Sequence, residues 1–178
     1  MAIRRILRDD DSALKKKSRI VTDFNRRLHV LLDDMRETLA EANGSGLAAP
    51  QVGVLRRAVL VVVIKKADKP DEPAKEQVVE LVNPEILEES GEQTGSEGCL
   101  SIPGVFGIVT RPEFVKVKAQ DRYGKEFVLL SEKLAARAIC HEVDHLNGIL
   151  FTSLTTHILT EEELEQLANE GKESKREQ

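Results

Sequence analysis

The spacing of apolar residues predicts an amphipathic helix near the start of the chain. From about residue 23 to residue 42 the apolar side chains fall three and four positions apart and form a single stripe. Thr22 or Asp23 can cap the start of this helix, and the pair Asn43-Gly44 can end it.

A second helical pattern lies closer to the end of the chain and contains two histidines. Ser131 is a candidate N-cap for this helix, and Asn147-Gly148 can end it. Its apolar stripe is continued by the histidines, at spacings of four, three and four residues: Leu134, Ala138, His141 and His145. Because both imidazoles continue the stripe, they are expected to point into the core.

Strands are predicted where β-branched residues cluster or where polarity alternates. The segment RAVLVVVI (57–64) indicates a buried strand, and VVELVNPEIL (78–87) indicates another that stops near Pro84. The segments EFVKVKAQD (113–121) and KEFVLL (125–130) are typical of a half-buried antiparallel pair. The order of elements predicts an α+β domain in which antiparallel β-sheets pack around a buried helix carrying the HExxH motif, with an N-terminal and a C-terminal helix.

Three stretches are predicted to be irregular: 44–53, 65–77 and 91–107. The first and the third are glycine-rich loops, and the second is a polar, exposed and mobile connection with two prolines. A last helix should begin at Thr160, where TEEE forms a capping box, and the charged tail should fray after about Gly171. The predicted division is a single catalytic domain over 1–159, followed by a C-terminal helix and a frayed tail over 160–178.

Composition limits the classes of protein to which the chain can belong. A length of 178 residues with 40% hydrophobic and 32% charged residues predicts one soluble domain with a core of its own. The mild net charge of −5 argues against nucleic acid as the main partner. The longest apolar run is strand-length, and the N-terminus lacks the apolar stretch of a signal peptide, so neither a membrane nor export is expected. Two cysteines do not make a disulfide framework, which fits the reducing cytoplasm.

The segment HEVDH (141–145) carries the strongest chemical signal. Residues four apart on a helix are stacked neighbours, so His141 and His145 can hold one divalent metal together. Glu142 points about 100° away from His141 and can reach a water on the metal without being a ligand. This is the arrangement of a hydrolase that activates water. The alternative is a chance spacing on a solvated helix, and it is disfavoured because buried imidazoles need partners.

A metal site of this type needs a third protein ligand and one open position. Cys99 is the preferred candidate, because SEGCLSIPG places its thiol in a glycine-flanked loop and a thiolate binds zinc or ferrous iron strongly. Phe151 stands where one protease pattern has a third histidine, and it cannot ligate. Cys140 is interpreted as a small buried apolar residue. The other candidates are more readily explained as surface or capping residues: His29, His157, Glu161, Glu162 and Glu163.

Gln51, in the first glycine-rich stretch, is a further candidate for chemistry. Its carboxamide can donate a hydrogen bond to an oxygen that becomes negative in a tetrahedral intermediate. The alternative is a side chain that stabilises the loop by bonding to the backbone, which the loop context alone slightly favours.

Three segments together resemble the signature motifs of the peptide deformylase family: GSGLAAPQ (44–51), EGCLS (97–101) and HEVDH (141–145). Enzymes of that family remove the formyl group from the N-terminal formylmethionine of new chains. The resemblance extends roughly from the N-terminus through Phe151. It implies a cytoplasmic hydrolase that acts on N-formylmethionyl nascent peptides. It also suggests contact with the ribosome exit region, for which the acidic segment TEEELEQLANE gives no electrostatic support.

The resemblance also implies roles for individual residues. The positions that match the metal ligands are Cys99, His141 and His145. The family's metal is usually ferrous iron, replaceable by Ni²⁺, Co²⁺ or Zn²⁺. Glu142 matches the general acid/base, while Gln51 and the backbone N–H of Leu100 match the groups that hold the formyl oxygen. Gly46 matches a backbone contact with the substrate, which is expected to lie along this loop as an added strand.

Three positions depart from the family pattern. Ser45 stands where an aliphatic residue is frequent, Phe106 lies near the place of a frequent arginine, and Ile20 replaces a common proline. These departures bear on side-chain preference and affinity and leave the reaction intact.

Two rival functions are compatible with parts of the pattern. A small zinc metalloprotease would cleave blocked peptides without a formyl group and take its third ligand from Glu161–Glu163 or His157. A non-catalytic protein that keeps a metal for structure, or that binds formylated N-termini without hydrolysis, would need a closed metal site.

Overall fold

The computed structural model describes residues 2–65 and 75–174 of the protein. These residues contain three α-helices: α1 (Arg26–Ala42), α2 (Lys133–Leu146) and α3 (Glu161–Ser174). They also contain eight β-strands: β1 (Gly46–Ala48), β2 (Ala58–Lys65), β3 (Lys75–Ser90), β4 (Gln93–Cys99), β5 (Ile102–Arg111), β6 (Phe114–Gln120), β7 (Glu126–Glu132) and β8 (His157–Ile158). Most of the connection predicted over 65–77, and the last four residues of the tail predicted to fray, lie outside the described residues. None of the described helices has the length and the apolar content needed to cross a membrane.

The strands form two antiparallel sheets. One has five strands in the order β1-β2-β3-β6-β7, and the other has three in the order β4-β5-β8. Helix α2 covers one face of the larger sheet and α1 covers the other, so β2 is buried between two helices. Val59 and Val61 pack on the side of α2, while Ala58 and Leu60 pack on the side of α1. Burial on both faces explains the unbroken apolar run of β2, and the predicted α+β architecture is confirmed.

Helix α1 starts later than its apolar stripe predicts. Asn25 is its N-cap, because the side-chain oxygen of Asn25 accepts hydrogen bonds from the N–H groups of Arg27 and Leu28. The predicted caps at Thr22 and Asp23 are therefore wrong. The predicted end is confirmed, since Asn43 adopts the left-handed conformation at the C-cap, with φ 50°.

Strand β3 continues through Pro84 to Ser90, so the predicted stop at this proline is wrong. The strand accommodates the proline at an irregularity, where the pairing register with β6 shifts between Val82 and Glu85. Asn83 has φ 52° there, and its side chain bonds to both the N–H and the C=O of Val21. These bonds stabilise the bulge and attach the N-terminal segment to the sheet.

Both glycine-rich stretches predicted to be loops contain regular structure. The stretch 44–53 holds β1 and a 3₁₀ turn over Ala49–Val52, and 91–107 holds β4 and the first part of β5. At two of these strand positions, glycine allows a neighbouring side chain to pack directly against the backbone. A Cβ at Gly98 would stand 2.7 Å from the Phe106 ring, and one at Gly46 would meet the Glu142 carboxylate. Glycine content alone therefore mispredicts the backbone in both stretches.

The second helix also differs from its prediction at the N-terminus. Ser131 belongs to β7, and Glu132 precedes α2 without making a side-chain cap bond. Leu134 is 75% exposed, so the buried stripe begins after it. The predicted end at Asn147-Gly148 is confirmed. The predicted capping box of α3 is also confirmed, because Thr160 N–H donates to Glu163 Oε2 and Glu163 N–H donates to Thr160 Oγ1.

Candidate active site

The two histidines of α2 are buried where the helix faces the β4–β5 hairpin. His141 is 8% exposed and His145 only 1% exposed. The thiol of Cys99, at the end of β4, lies 3.2 Å from His145 Nε2. The potential ligand atoms of Cys99, His141 and His145 all lie within 4.8 Å of one another. One cation can therefore contact all three side chains.

The structure separates the other candidate histidines from this cluster. His29 lies 2.8 Å from the backbone oxygen of Arg122, and its ring contacts Tyr123. His157 pairs with Glu163 on the surface, where Glu163 also closes the capping box of α3. Phe151 is buried and its ring lies 6.2 Å from that of His141, so it forms a wall of the site. Cys140 is buried in the apolar core, and burial raises the pKa of its thiol to about 11.

The surroundings of the two imidazoles shift their pKa values in opposite directions. Burial, with the neighbouring charge of His141, lowers the pKa of His145 to about 3, which keeps this ring neutral and able to bind a metal. Burial also acts to lower the pKa of His141, but hydrogen bonds with Cys99 and Glu97 raise it to about 10. A cation bound by this ring must displace that proton, so metal binding and proton release are coupled.

Glu97 is a buried acid that the sequence reasoning did not identify. Its Oε1 accepts a hydrogen bond of 2.7 Å from His141 Nδ1, and both of its oxygens accept from Arg111. Burial acts to raise the pKa of Glu97, but the bonds with His141 and Arg111 lower it to about 2. Asp144 accepts a further bond from Arg111. Glu97 thus fixes the proton on Nδ1 and leaves Nε2 of His141 for a metal. The signal in the sequence was an acid two positions before Cys99.

Glu142 lies beside the metal-ligand cluster, where it is almost fully shielded from solvent. Its side chain is buried, with 3% exposure, and among the described residues its Oε2 has no hydrogen-bond partner. Burial raises the pKa of this carboxyl to about 7. A partnerless buried carboxylate next to three potential metal ligands has the properties expected of a group that exchanges a proton with a water or a substrate.

Gln51 makes the backbone bond of one interpretation that the sequence left open, and its amide group faces the metal-ligand cluster. Its carboxamide oxygen accepts a hydrogen bond of 2.8 Å from the N–H of Ala48, and this bond stabilises the local backbone. The same bond fixes the orientation of the amide, whose Nε2 lies 3.2 Å from Ser101 Oγ and 3.6 Å from Cys99 Sγ. The anchored oxygen therefore directs the two N–H donors toward the metal-ligand cluster. The N–H of Leu100 belongs to the peptide group that directly follows Cys99.

Two strand edges border this region. Strand β1, which contains Gly46, is at one end of the larger sheet, and β4, which contains Gly98, is at one end of the smaller sheet. Among the described residues no strand pairs with the outer edge of either one. Ser45 is exposed before β1, and Phe106 is 39% exposed beside Gly98. Two of the three departures from the family pattern, Ser45 and Phe106, therefore border these edges.

A thiol and two imidazoles that converge beside a buried carboxylate are the arrangement found in metal-dependent hydrolases. The family model described as polypeptide deformylase matches residues 3–159. A peptide deformylase from Caldicellulosiruptor bescii is 52% identical over 171 residues, which are 96% of this chain and 96% of that protein. Peptide deformylase 1 of Bacillus subtilis is 47% identical over 164 residues, which are 92% of this chain and 97% of that protein.

The fold comparison agrees with the sequence comparisons. The crystal structure of a peptide deformylase from Legionella pneumophila superposes with a TM-score of 0.76 at 38% identity, covering 98% of this chain and 96% of that one. The chain belongs to the polypeptide deformylase family. The resemblance drawn from the three motifs is confirmed, and so is the predicted class of activity, removal of the N-terminal formyl group from polypeptides.

Proposed function

We propose that this protein hydrolyses the formyl amide of N-formylmethionyl nascent peptides at the site formed by Cys99, His141, His145 and Glu142. The observation that carries the proposal is the convergence of a thiol from β4 with two imidazoles from α2, with Sγ 3.2 Å from His145 Nε2. The three side chains come from distant parts of the chain. Their meeting next to a buried, partnerless carboxylate oxygen is hard to explain by packing alone.

The side chains of the cluster suit a divalent transition metal. Thiolate and imidazole ligands favour zinc and ferrous iron over magnesium or calcium, which prefer oxygen. Three protein ligands leave a position open for chemistry. We infer ferrous iron as the native metal from the family resemblance, with Ni²⁺, Co²⁺ or Zn²⁺ as substitutes. When bound, such a metal acidifies water and polarises the formyl carbonyl.

Glu142 transfers the protons in this proposal. Its carboxylate removes a proton from the water that attacks the formyl carbon. The same carboxyl then gives the proton to the amine nitrogen as the C–N bond breaks, so the products are formate and a free amino terminus. Burial raises the pKa of this carboxyl above its ordinary value and so favours a group that can be a base and then an acid.

The formyl oxygen becomes negative when water adds to the carbonyl. Gln51 Nε2 and the backbone N–H of Leu100 are the donors proposed to hold it. The orientation of Gln51 is set in advance by its bond with the Ala48 N–H. Donors that need no rearrangement during the reaction stabilise the charge most effectively.

The substrate peptide is proposed to bind as an added strand along the outer edge of β1, at Gly46. The available edge of β1 supports this placement. A formyl carbon carries only hydrogen, so a narrow space beside the metal would admit it and would exclude the bulkier acyl side of an ordinary peptide bond.

An anaerobic formate-release assay tests the proposal. The iron-loaded protein should release formate from formyl-Met-Ala and should leave acetyl-Met-Ala-Ser and other blocked peptides intact. Oxygen must be excluded, because a thiolate next to ferrous iron is open to oxidation. Cleavage of blocked peptides without formate release would instead support the small zinc metalloprotease. Metal binding without any hydrolysis would support a structural metal protein.

Nascent chains carry their formyl group as they leave the ribosome. We therefore also propose that the protein works in the cytoplasm near the ribosomal exit. This rests on the family resemblance, and the three acids in the first turn of α3 offer no electrostatic attraction to ribosomal RNA. Co-sedimentation with ribosomes at low salt tests the contact, and its absence would restrict the proposal to free nascent peptides.

A further inference from the structure

Arg137 is a buried arginine to which the proposed mechanism assigns no step. It lies on α2, one helical turn before His141, and is 8% exposed. Burial of an arginine is costly unless each part of its guanidinium is paired. The position of its partners therefore indicates what the side chain does.

All the hydrogen bonds of Arg137 lead to the two strands that face the site. Its Nη1 donates to Glu97 Oε2 at 3.0 Å and to the backbone oxygen of Val109 at 3.1 Å. Its Nη2 donates to the backbone oxygen of Gln93 at 3.0 Å. Glu97 and Gln93 belong to β4, which ends at Cys99, while Val109 belongs to β5. Arg137 therefore links the helix that carries the histidines to the strand that carries the thiol.

The Glu97 carboxylate has its two oxygens divided between the arginines and His141. Oε1 accepts from Arg111 Nη2 and from His141 Nδ1, both at 2.7 Å. Oε2 accepts from Arg111 Nε at 3.1 Å and from Arg137 Nη1 at 3.0 Å. Arg111 also donates a hydrogen bond to Asp144, so its charge is shared between two acids. Arg137 thus completes the hydrogen bonding of Glu97, because it supplies the second donor to Oε2.

We propose that Arg137 is a positioning residue for the metal centre: it fixes Glu97 from the side of Oε2, and Glu97 in turn holds His141 with Nε2 directed at the metal. The inference rests on the proposed metal site and adds to it a residue with no direct contact to the three ligands. Partners of metal ligands typically change metal affinity or activity about 10- to 100-fold when they are removed. Because His141 and Cys99 are attached to the two elements that Arg137 links, its loss should loosen both ligands.

The test measures metal release from three variants of the full-length protein. Each is loaded with one equivalent of Ni²⁺ under anaerobic conditions, and the release of the metal to an excess of chelator is followed with time. Arg137→Met removes every donor, whereas Arg137→Lys keeps the charge but cannot form the three-way fork of the guanidinium. Arg122→Met is the matched control, because Arg122 pairs with Glu80 and Asp33 away from the site.

Arg137→Met should release Ni²⁺ about 10 to 100 times faster than the wild type, and Arg137→Lys should lie between the two. Arg122→Met should have a lower melting temperature but release Ni²⁺ at the wild-type rate. Equal rates for Arg137→Met and the wild type would overturn the proposal. Equal acceleration in Arg137→Met and Arg122→Met would also overturn it, because general loosening would then be the cause.

Failure of both Arg137 variants to fold would make the residue a folding determinant and would equally refute the positioning role. The wild-type control keeps this inference separate from the proposed function. A wild type that binds Ni²⁺ but releases no formate would contradict the function while leaving the comparison of release rates valid.

Discussion

The carboxylate of Glu142 lies directly against the α-carbon of Gly46. A β-carbon at position 46 would stand 2.5 Å from Glu142 Oε1 and 2.8 Å from its Cγ, distances that no real contact tolerates. The lack of a side chain at Gly46 therefore leaves the space that the proposed base on α2 occupies. Gly46 has two functions in this arrangement, because its backbone also belongs to the edge along which the substrate is proposed to lie.

Gly46→Ala should displace the Glu142 carboxylate and lower kcat/KM for formyl-Met-Ala by about 100-fold, since a shift of about 1 Å at a reacting group has effects of this order. The metal content should stay at one equivalent. Gly95→Ala is a matched control on β4, where the nearest atom to an added Cβ is Arg137 Nη2 at 3.5 Å, an ordinary contact. Wild-type kcat/KM in Gly46→Ala would show that the contact does not position the base.

Glu142→Gln should lower kcat by about 100- to 10,000-fold, because the amide cannot accept the proton of the attacking water.

In the wild type, Glu142 must be ionised to act as a base, so activity should fall as the pH decreases through its pKa. Burial raises that pKa to about 7 without a metal, and a bound cation shifts it downward. The acidic limb of kcat/KM against pH should therefore lie at or below pH 7. Metal content and melting temperature serve as controls. A Glu142→Gln variant that is folded, metal-loaded and fully active would disprove the assignment.

Features of the fold and the proposed ligand cluster that depend on local spacing could be predicted from the sequence, whereas contacts between distant segments could not. The helix of His141 and His145 is visible because the i, i+4 spacing is local. Cys99 is a candidate third ligand because of its thiol and its glycine-flanked setting, but its pairing with this helix becomes specific only with the family resemblance, because no local pattern brings β4 to α2. The regular structure within 44–53 and 91–107 could not be predicted from glycine content. Gly46 and Gly98 are glycines because side chains from elsewhere in the chain, Glu142 and Phe106, pack against them.

The network around Glu97 was missed for a related reason. Its partners lie 14, 40 and 44 positions away, at Arg111, Arg137 and His141. Each of these arginines, taken alone, has the appearance of an ordinary charged residue. Only the packing of α2 on the β4–β5 hairpin shows that both arginines are buried on the same acid. Polar networks between distant elements are therefore the least predictable part of such a site.

Gln51→Glu should separate the two functions of Gln51. The carboxylate can still accept the bond from the Ala48 N–H, so the local backbone should keep its structure. It cannot donate to the developing oxyanion and adds a negative charge there, so kcat should fall about 100- to 1,000-fold. Gln120→Glu is the control, because Gln120 accepts from Asn83 and donates to Gly124 outside the site. Formate release by Gln51→Glu within threefold of the wild type would rule out the donor role.

Glu80 allows a prediction about stability that is independent of the active site. It accepts hydrogen bonds from Arg122 at 2.6 Å and 2.9 Å, and from Arg36 at 2.9 Å. Burial acts to raise the pKa of Glu80, but the two arginines lower it below its ordinary value of 4.5. A lowered pKa means that the ionised group stabilises the fold above its unfolded-state pKa. This stabilisation is lost as the pH falls through the lower, folded-state pKa.

Glu80→Gln should therefore reduce the free energy of unfolding by about 1–2 kcal/mol at pH 7, which allows for partial solvent screening of the arginines. The difference from the wild type should shrink as the pH falls below about 4.5, where the Glu80 carboxyl of the unfolded chain takes up its proton, and should vanish once the pH has passed the lower pKa of the folded protein. Urea unfolding of both proteins between pH 3 and pH 7 measures this difference. Glu88→Gln is the control, since Glu88 pairs with Lys116 at an exposed position and should matter by less than about 1 kcal/mol. A Glu80→Gln difference that stays constant across this pH range would show that the ion pair contributes nothing and that the loss comes from packing.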